Sequence, residues 1–379
     1  MPADSRIHVE TVDSRSALRE FISFPKALYR NTPQWVPFFD RDYRALFSRK
    51  HPFFAHAQGD FLLLRSGSEV VGRVMMIHNG RYNEHHGRNA AHFYFCDYVD
   101  DSTVSGELFQ AMRRWAAERG LSELTGPLFM GASYGGGVLV EGFEKPAPMT
   151  MMPYNHAYYP RHYEAHGFRK LFDLCSLSLD PKTFKLPDKV ERVAERVKAR
   201  GRMKVREFRS SRELKRIAPQ VASLYNDTLA EHAENYPLSE AELQQLIADL
   251  LLVARPDLEK IIEYDDRIVG YLLCFPDLTP ALRKGWGRLT PLALARLWWN
   301  HRRPERVIVN GMGILDGYQR LGGNALLYSE LAKTGTAPGM NVQDAELVQV
   351  NEENELMLSD LRTLGARLSK QHRVFTTDV

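Results

Sequence analysis

The feature that most constrains the fold is an order of predicted elements that occurs twice along the chain. Each half runs helix, hairpin, strand, helix, strand, helix and strand, as indicated by apolar periodicity and turn residues. Strands that alternate with helices favour an α/β architecture, here with a mixed sheet. The two copies share this order but few identical residues, which indicates an old duplication rather than a short-period repeat. The sequence therefore predicts two domains with the same α/β fold.

The length agrees with two domains, because 379 residues fit two units of roughly 150–200 residues. Between the two copies lies the stretch PKTFKLPDKVERVAERVKARGRMK, which is charged and contains two prolines. Such a stretch is typical of a linker, here one that carries a surface helix. We predict a first domain at 1–180, a linker at 181–204 and a second domain at 205–379.

Composition indicates a cytoplasmic protein that does not span a membrane. The N-terminus has no apolar segment of the signal-peptide kind, and no window of about 18 uncharged apolar residues occurs. The three cysteines lie in predicted strands without a C-x-x-C pair, which suits free thiols in a reducing compartment. The net charge of +3 is too small to indicate nucleic acid as a partner. Histidine-rich positions lack partners at metal-ligand spacing, so we expect no metal site.

The stretch ILDGYQRLGGNALLY, at positions 314–328, gives the strongest indication of function. A predicted strand ends there, a turn with glycines follows, and an apolar-periodic helix begins. Unpaired N–H groups at a helix N-terminus carry partial positive charge and suit a pyrophosphate, and glycine lets the backbone approach the anion closely. Arg320 adds a positive charge. We therefore predict an anion site at the start of this helix.

At this loop the sequence resembles the GNAT superfamily of N-acyltransferases, whose acyl-CoA loop follows the pattern Q/R-x-x-G-x-G/A. The residues that match the pattern are Arg320, Leu321, Gly322, Gly323, Asn324 and Ala325. A second register begins at Gln319, and Ile314 ends the strand before the loop. Asn354 opens a later predicted helix and matches the asparagine that contacts the CoA arm in the family, although a helix cap is the alternative explanation. The resemblance implies two tandem GNAT-like domains that use acyl-CoA as a co-substrate, with no permanently bound cofactor.

The first half resembles the same family in FPKALYRNTPQWVPFFDRD, HPFFAHAQGDFLLL, VVGRVMMIHN and MMPYNHAYYPRHYEAHGF, segments similar to those of bacterial tandem GNAT proteins. Its loop before the corresponding helix, DYVDDSTVSGELF, lacks the glycine pattern. That loop places acidic residues where a phosphate would lie, and like charges would repel CoA. We therefore expect the first domain to be a degenerate GNAT-like copy.

Acyl transfer to an amine needs a base for the amine and a proton for the departing thiolate. The resemblance implies a Glu, Asp or His as the base, and the candidates are Glu346, Glu231 and His232. Glu346 lies on a predicted strand with apolar neighbours, so a charge there requires a partner or a role. The alternative for both Glu231 and His232 is a solvated helix end. The tyrosine that acts as an acid in the family falls on Leu361, which departs from the family pattern.

Residues 278–304 form an insertion with six Lys/Arg residues, three tryptophans and no acid. Helical placement groups Leu294 with Trp298 and turns Arg296 and Arg302 away, an arrangement typical of helices that lie on anionic lipid. A core helix that covers a sheet edge is the alternative. We predict that this insertion contacts an anionic membrane surface and that the protein binds there peripherally.

Together these features predict an acyl-CoA-dependent N-acyltransferase. The preferred acceptor is a long-chain, sphingoid-like amine, which would give an N-acyl lipid such as ceramide, because the chain loosely resembles bacterial ceramide synthases of about this length. The alternatives are acetylation of a small polar amine, transfer from aminoacyl-tRNA, and CoA binding without catalysis.

Overall fold

The computed structural model describes residues 7–129, 134–148, 152–229, 232–233, 235–337 and 340–379. The chain forms two compact units. The first consists of Met1–Leu174, Leu282–Thr290 and Lys370–Val379, and the second of Cys175–Ala281 and Pro291–Ser369. The predicted domain limits, 1–180, 181–204 and 205–379, follow the order of the chain and stay a prediction.

The predicted order of elements is confirmed in the first copy. Its elements are β1 (Ile7–Thr11), α1 (Arg15–Leu28), α2 (Asp40–Phe47), β2 (Ala57–Ser66), β3 (Glu69–Asn79), α3 (Gly80–His86), β4 (Ala90–Tyr98), α4 (Ser102–Ala117), β5 (Glu123–Gly126), β6 (Val138–Glu141), α5 (Tyr159–Ala165) and β7 (Arg169–Leu179). The short helices α2 and α3 were not predicted from the sequence.

The second copy follows the same order, with additional helices. Its elements are α6 (Asp188–Ala199), β8 (Met203–Arg206), α7 (Ser211–Leu229), α8 (Glu240–Val253), β9 (Lys260–Tyr264), β10 (Arg267–Pro276), α9 (Thr279–Gly285), α10 (Pro291–Arg302), β11 (Arg306–Ile314), α11 (Gly323–Gly335), β12 (Asp344–Asn351), α12 (Glu355–Thr363) and β13 (Arg367–Asp378). The α/β class and the mixed sheets are therefore confirmed.

In the first unit, the strands lie in the order β1-β2-β3-β4-β5-β13, and β6 also pairs with β13. The β4–β5 pair is parallel, because α4 carries the chain back across the sheet between these two strands. The end of β13 pairs with β5 in the antiparallel sense, with Phe375 opposite Gly126. The predicted apolar face of α4, including Leu108, Met112 and Trp115, packs into the core of this unit.

The second unit has the strand order β8-β9-β10-β11-β12, antiparallel as far as β11 and parallel between β11 and β12. Neighbouring residues of a strand point to opposite faces of the sheet. Leu272 and Cys274 of β10 pack in the core that includes α11, whereas Leu273 and Phe275 lie beneath α7 and α8. Helices α6 and α11 thus cover one face, and α7 and α8 cover the other.

Two local predictions in this unit are confirmed. Ser239 and Glu242 form the capping box at the start of α8. The hairpin between β9 and β10 turns on Asp265 and Asp266, which have φ values of 47° and 63°. Both residues therefore adopt the left-handed conformation, which suits two-residue hairpin turns and which aspartate tolerates.

Helix α6 packs closely against the start of α11, at Gly322. Gly322 is the N-cap residue of α11 and has φ of 91°. A Cβ atom at this position would lie 2.6 Å from Cγ2 of Val197 and 3.0 Å from Cγ1 of Val193, both on α6. The left-handed conformation and the close approach of α6 both require glycine here.

We predict that Gly322→Ala lowers the free energy of unfolding by about 2–4 kcal/mol, because left-handed strain and overpacking add together. Gly317→Ala is the matched control in the same loop, since a Cβ atom there would meet nothing within 4 Å. We expect this control to change the free energy by less than about 0.5 kcal/mol. Urea denaturation of the two variants measures the difference, and equal losses would contradict the packing described for Gly322.

Candidate active site

The loop from β11 to α11 is shaped by its own hydrogen bonds. Ile314 is buried and ends β11. Gln319 donates from Nε2 to the carbonyl oxygen of Ile314 at 3.2 Å and to Oδ1 of Asp316 at 2.8 Å. Arg320 is exposed and has φ of 60°. The side chain of Gln319 therefore folds the turn, while the guanidinium of Arg320 stays accessible to a ligand.

The N-terminus of α11 is open. Within the part of the chain that the structure describes, no side chain caps this helix, and its first intrahelical bond runs from the N–H of Leu326 to the carbonyl oxygen of Gly322 at 3.2 Å. The N–H groups of Gly323, Asn324 and Ala325 precede that bond and have no partner within the helix. Together they give this helix start the partial positive charge that favours an anion.

A cavity of about 230 Å³ lies at this helix start, and we name it the α11 cavity. Its lining residues are Val190, Ile314, Arg320, Gly322, Gly323, Asn324, Ala325, Tyr328, Asp360, Thr363 and Leu364. Six of the predicted cofactor-binding residues thus meet in one place. Of the described residues predicted with them, Gln319, Leu321 and Asn354 lie outside this lining, and Leu321 is 41% exposed.

Asp360 and Tyr328 line the α11 cavity, and the sequence had not indicated that Asp360 lies there. Nδ2 of Asn324 donates to Oδ2 of Asp360 at 3.1 Å. Burial, and secondarily the charge of Asp360, raises the pKa of Tyr328, so its hydroxyl stays neutral. Asp360 fixes the side chain of Asn324 and at the same time brings one negative charge to the site.

Asn354 caps α12. Its Oδ1 accepts a hydrogen bond from the N–H of Met357 at 3.1 Å. This contact accounts for an asparagine at the start of α12, as the alternative explanation expected. Contact of Asn354 with CoA stays a prediction.

The parallel strands β11 and β12 separate next to the α11 cavity. They pair from Arg306–Asp344 to Val309–Leu347, and the remainder of both strands lies beyond that register. Gly311 of β11 has φ of 124° and Gln349 of β12 has φ of 52°. Such backbone irregularities bend strands and end their pairing. The part of β11 after Val309 thus lies outside this parallel pairing, and Ile314 at its end lines the α11 cavity.

Two hydroxyl groups lie against β11 on the face covered by α7. Oγ1 of Thr228 and the hydroxyl of Tyr271 are 3.0 Å apart, and a Cβ atom at Gly313 would lie 2.5 Å from Oγ1 of Thr228. Burial raises the pKa of Tyr271, so this phenol keeps its proton. Sequence reasoning missed both residues, because a Thr near a helix end and a Tyr in an apolar strand carry no distinctive pattern.

Glu346 is buried in β12 and belongs to a charged group. Its Oε2 lies 3.4 Å from Nη1 of Arg306, and Arg306 also pairs with Asp277 at 2.7 Å. Glu346 is 1% exposed. The predicted need for a partner is thus met by Arg306, and a catalytic role for Glu346 stays a prediction.

The other two candidate bases belong to the connection between α7 and α8. His232 is half-buried, and its carbonyl oxygen accepts a hydrogen bond from the N–H of Asn235 at 2.9 Å. Glu231 lies outside the described residues. The catalytic roles of both residues stay predictions.

The corresponding helix start in the first copy is occupied by a side chain. Oδ1 of Asp101 accepts hydrogen bonds from the N–H groups of Thr103, at 2.7 Å, and Val104, at 3.3 Å, at the start of α4. A carboxylate thus accepts hydrogen bonds from the N–H groups at the start of α4. The N–H groups at the equivalent positions of α11 have no such side-chain cap among the described residues. The contrast agrees with the predicted degeneracy of the first copy.

Helix α10 exposes large apolar side chains. Trp298 is 57% exposed, Trp299 53% and Leu294 52%. This exposure argues against a core helix. The guanidinium groups of Arg302 and Arg303 lie over Trp298 and Trp299, 4.8 and 4.7 Å from the ring centroids. The prediction that Arg302 points away from Trp298 was wrong, because residues four apart share a helix face. No helix among the described residues is long and apolar enough to cross a bilayer.

The chain is similar to known proteins over nearly its whole length. No protein-family model matches the chain. Protein YghO of Escherichia coli K12 is 28% identical over 388 residues, which cover 98% of this chain and 95% of that protein. A bacterial ceramide synthase of Caulobacter vibrioides is 27% identical over 386 residues, which cover 99% of each chain.

Solved structures show the fold. A tandem GNAT protein from the clavulanic acid biosynthesis pathway has a TM-score of 0.56 at 12% identity and 98% coverage of each chain. A GCN5-related N-acetyltransferase from Sphaerobacter thermophilus has a TM-score of 0.50 at 12% identity, with 99% of this chain and 96% of that chain covered. The chain therefore has the tandem GNAT fold of N-acyltransferases, and it is loosely similar over its full length to a bacterial ceramide synthase.

Proposed function

We propose that the protein is an N-acyltransferase that uses acyl-CoA as its donor and a long-chain amine as its acceptor. The observation that carries this proposal is the uncapped N-terminus of α11 beside Arg320, within the α11 cavity. In a GNAT fold, this cavity is where the pyrophosphate of CoA would bind. The capped start of α4 supports assigning the donor to the second copy.

In this proposal the thioester lies between the separated ends of β11 and β12. A neutral amine attacks the thioester carbonyl, and the tetrahedral intermediate then expels the CoA thiolate to leave an amide. The base removes one proton from the attacking nitrogen, and a proton donor returns one to the thiolate. The hydroxyl of Tyr271 lies beside β11, 3.0 Å from Oγ1 of Thr228, and is our choice for that donor.

Two observations support a long-chain, sphingoid-like acceptor. The Caulobacter relative is a ceramide synthase by name, and α10 exposes two tryptophans beside arginines. Tryptophan and arginine together suit a helix that lies on anionic lipid. The product would be an N-acyl lipid such as ceramide, formed by a protein bound peripherally at the membrane surface.

We predict that Arg320→Gln weakens binding of coenzyme A by about tenfold or more, because one charge-assisted contact with phosphate is lost. Arg267→Gln, an exposed arginine in the β9–β10 hairpin, is the matched control and should leave the affinity unchanged. Asp360→Asn should tighten binding of coenzyme A, because it removes from the cavity a negative charge that repels the phosphates. Calorimetry with coenzyme A measures all three variants, and an absence of heat with the wild-type protein would refute the proposed donor.

A second prediction separates Glu346 from His232 as the base. Loss of the base should lower kcat/KM by about 10²–10⁴-fold and should remove the fall in activity at low pH that protonation of the base causes. The pH profiles of Glu346→Gln and His232→Gln measure this effect. A variant that is only destabilised, as a break in the Arg306 pair would cause, keeps the acidic limb of its profile. If both variants keep that limb, neither residue is the base.

A third prediction concerns the membrane. We expect the double change Trp298→Ser and Trp299→Ser to reduce binding to phosphatidylcholine vesicles containing phosphatidylglycerol by about tenfold or more, because two apolar anchors are lost. Leu356→Ser is the control, since Leu356 is 77% exposed on α12. Vesicle sedimentation measures the bound fraction. If the double variant and the Leu356→Ser control lose vesicle binding equally, α10 does not contact the membrane.

A further inference from the structure

An apolar cavity lies between the helix pair α7–α8 and the strands β9 and β10, and we name it the α8 cavity. Its lining residues are Leu214, Ile217, Ala218, Val221, Ala222, Tyr225, Leu246, Ile247, Leu250, Leu251, Ala254, Glu259, Ile261, Leu273 and Phe275. The cavity has a volume of about 70 Å³, which is space for about two groups of the size of a water molecule. Glu259 is the only carboxylic acid among the described residues that line the cavity.

Helix α8 packs loosely over this cavity. Only Glu242 is buried among the residues of α8, all of which the structure describes. Leu246, Ile247, Leu250 and Leu251 line the cavity and are half-buried. A hydrocarbon chain between α8 and the sheet would remove these side chains from water, which is favourable in proportion to the area covered. A chain that widened the cavity would displace half-buried side chains of α8 rather than fully buried ones.

Glu259 is a buried acid in the lining of the α8 cavity. It is 4% exposed, its Oε2 accepts one long hydrogen bond of 3.4 Å from the N–H of Cys274, and its Oε1 has no partner among the described residues. Burial raises the pKa of Glu259 well above its usual range, so the group is a neutral acid that presents no charge to a hydrocarbon chain. A buried oxygen without a partner is rare in native proteins and calls for an explanation.

Two lining residues of the α8 cavity lie close to β11 or to its neighbour Tyr271. These residues are Tyr225 and Leu273. The ring of Tyr225 lies 6.2 Å from that of Tyr271, and a Cβ atom at Gly311 would lie 3.8 Å from Cδ1 of Leu273. A chain in the cavity would thus have one end beside the separated strands.

At its other end, the cavity adjoins α10. Ala254 lines the cavity, and the next residue, Arg255, donates to the carbonyl oxygens of His301 at 3.1 Å and Arg302 at 3.2 Å. These carbonyls belong to the end of α10, the helix with exposed tryptophans. A lipid bound by α10 would therefore lie close to the cavity.

We propose that the α8 cavity binds the alkyl chain of the amine acceptor. The inference rests on the proposed function and adds to it the place where the acceptor's chain lies. The position of the α8 cavity favours the acceptor's chain over the donor's. Helices α7 and α8 cover one face of the sheet, and the α11 cavity lies on the opposite face. The two substrates would meet at β11 from opposite faces.

The test fills the cavity and measures binding directly. Ala218→Phe places a ring in the space of about 70 Å³, and Ser223→Phe, at an exposed position of the same helix, is the matched control. Calorimetry with dodecylamine should show binding to the wild-type protein and to the control, and binding at least about tenfold weaker to Ala218→Phe. Each excluded methylene weakens binding roughly fourfold. Butylamine, with a short chain, should show no such difference.

A second variant, Glu259→Leu, tests the same cavity in case Ala218→Phe does not fold. Glu259→Leu replaces the unpartnered acid with hydrocarbon, so it should fold and should bind dodecylamine more tightly than the wild-type protein does. Unchanged dodecylamine affinity in both Ala218→Phe and Glu259→Leu would overturn the inference.

Lauroyl-CoA distinguishes the donor from the acceptor. If Ala218→Phe weakens lauroyl-CoA relative to coenzyme A and spares dodecylamine, the cavity holds the acyl chain and the assignment to the acceptor is wrong. Because dodecylamine binding requires no turnover, the cavity can be confirmed even if no acyl transfer is found. Conversely, acyl transfer with unchanged dependence on acceptor chain length in Ala218→Phe would leave the proposed function intact and refute the cavity.

Discussion

The start of α11 is held by contacts that leave no room for a side chain at either of two glycines. Gly322 lies against α6, and a Cβ atom at Gly323 would approach Cδ1 of Ile314 to 2.8 Å. These contacts fix the direction of α11 relative to β11, and so the direction of its free N–H groups. An anion site made from backbone groups depends on such packing, because it has no side chain that could adjust its position.

The starts of α4 and α11 occupy equivalent positions in the two copies but differ in capping. At α4, the carboxylate of Asp101 satisfies the terminal amides, and the helix is stabilised by its own chain. At α11, the corresponding amides lack a cap and face a cavity. The first helix start gains stability, and the second keeps free amides, which bind an anion in our proposal.

The second unit also differs on the two faces of its sheet. On the α11 face, aliphatic side chains of β10 and β11 pack with Leu326 and Leu327 into a closed core. On the other face, α8 leaves its leucines half-buried above a gap with an unpartnered acid. The tightly packed face positions the loop from β11 to α11, and the face with half-buried side chains is where we propose that the acceptor's chain binds. Arg255, which follows α8, donates to the carbonyl oxygen of His301 at the end of α10, the helix that exposes the tryptophans.

The sequence by itself determined the order of elements, the capping box at Ser239, the turn at Asp265 and the loop around Gly322. These features are local, since they depend on periodicity, caps and turn residues within a few positions. Only the tertiary structure brought Asp360 to Asn324, Tyr271 to Thr228 and Arg306 to Glu346, pairs that lie 36, 43 and 40 positions apart. It also decided that Asn354 caps a helix and that α8 covers a gap. Contacts between distant residues depend on how faces pack, and a pattern along one chain does not record that packing.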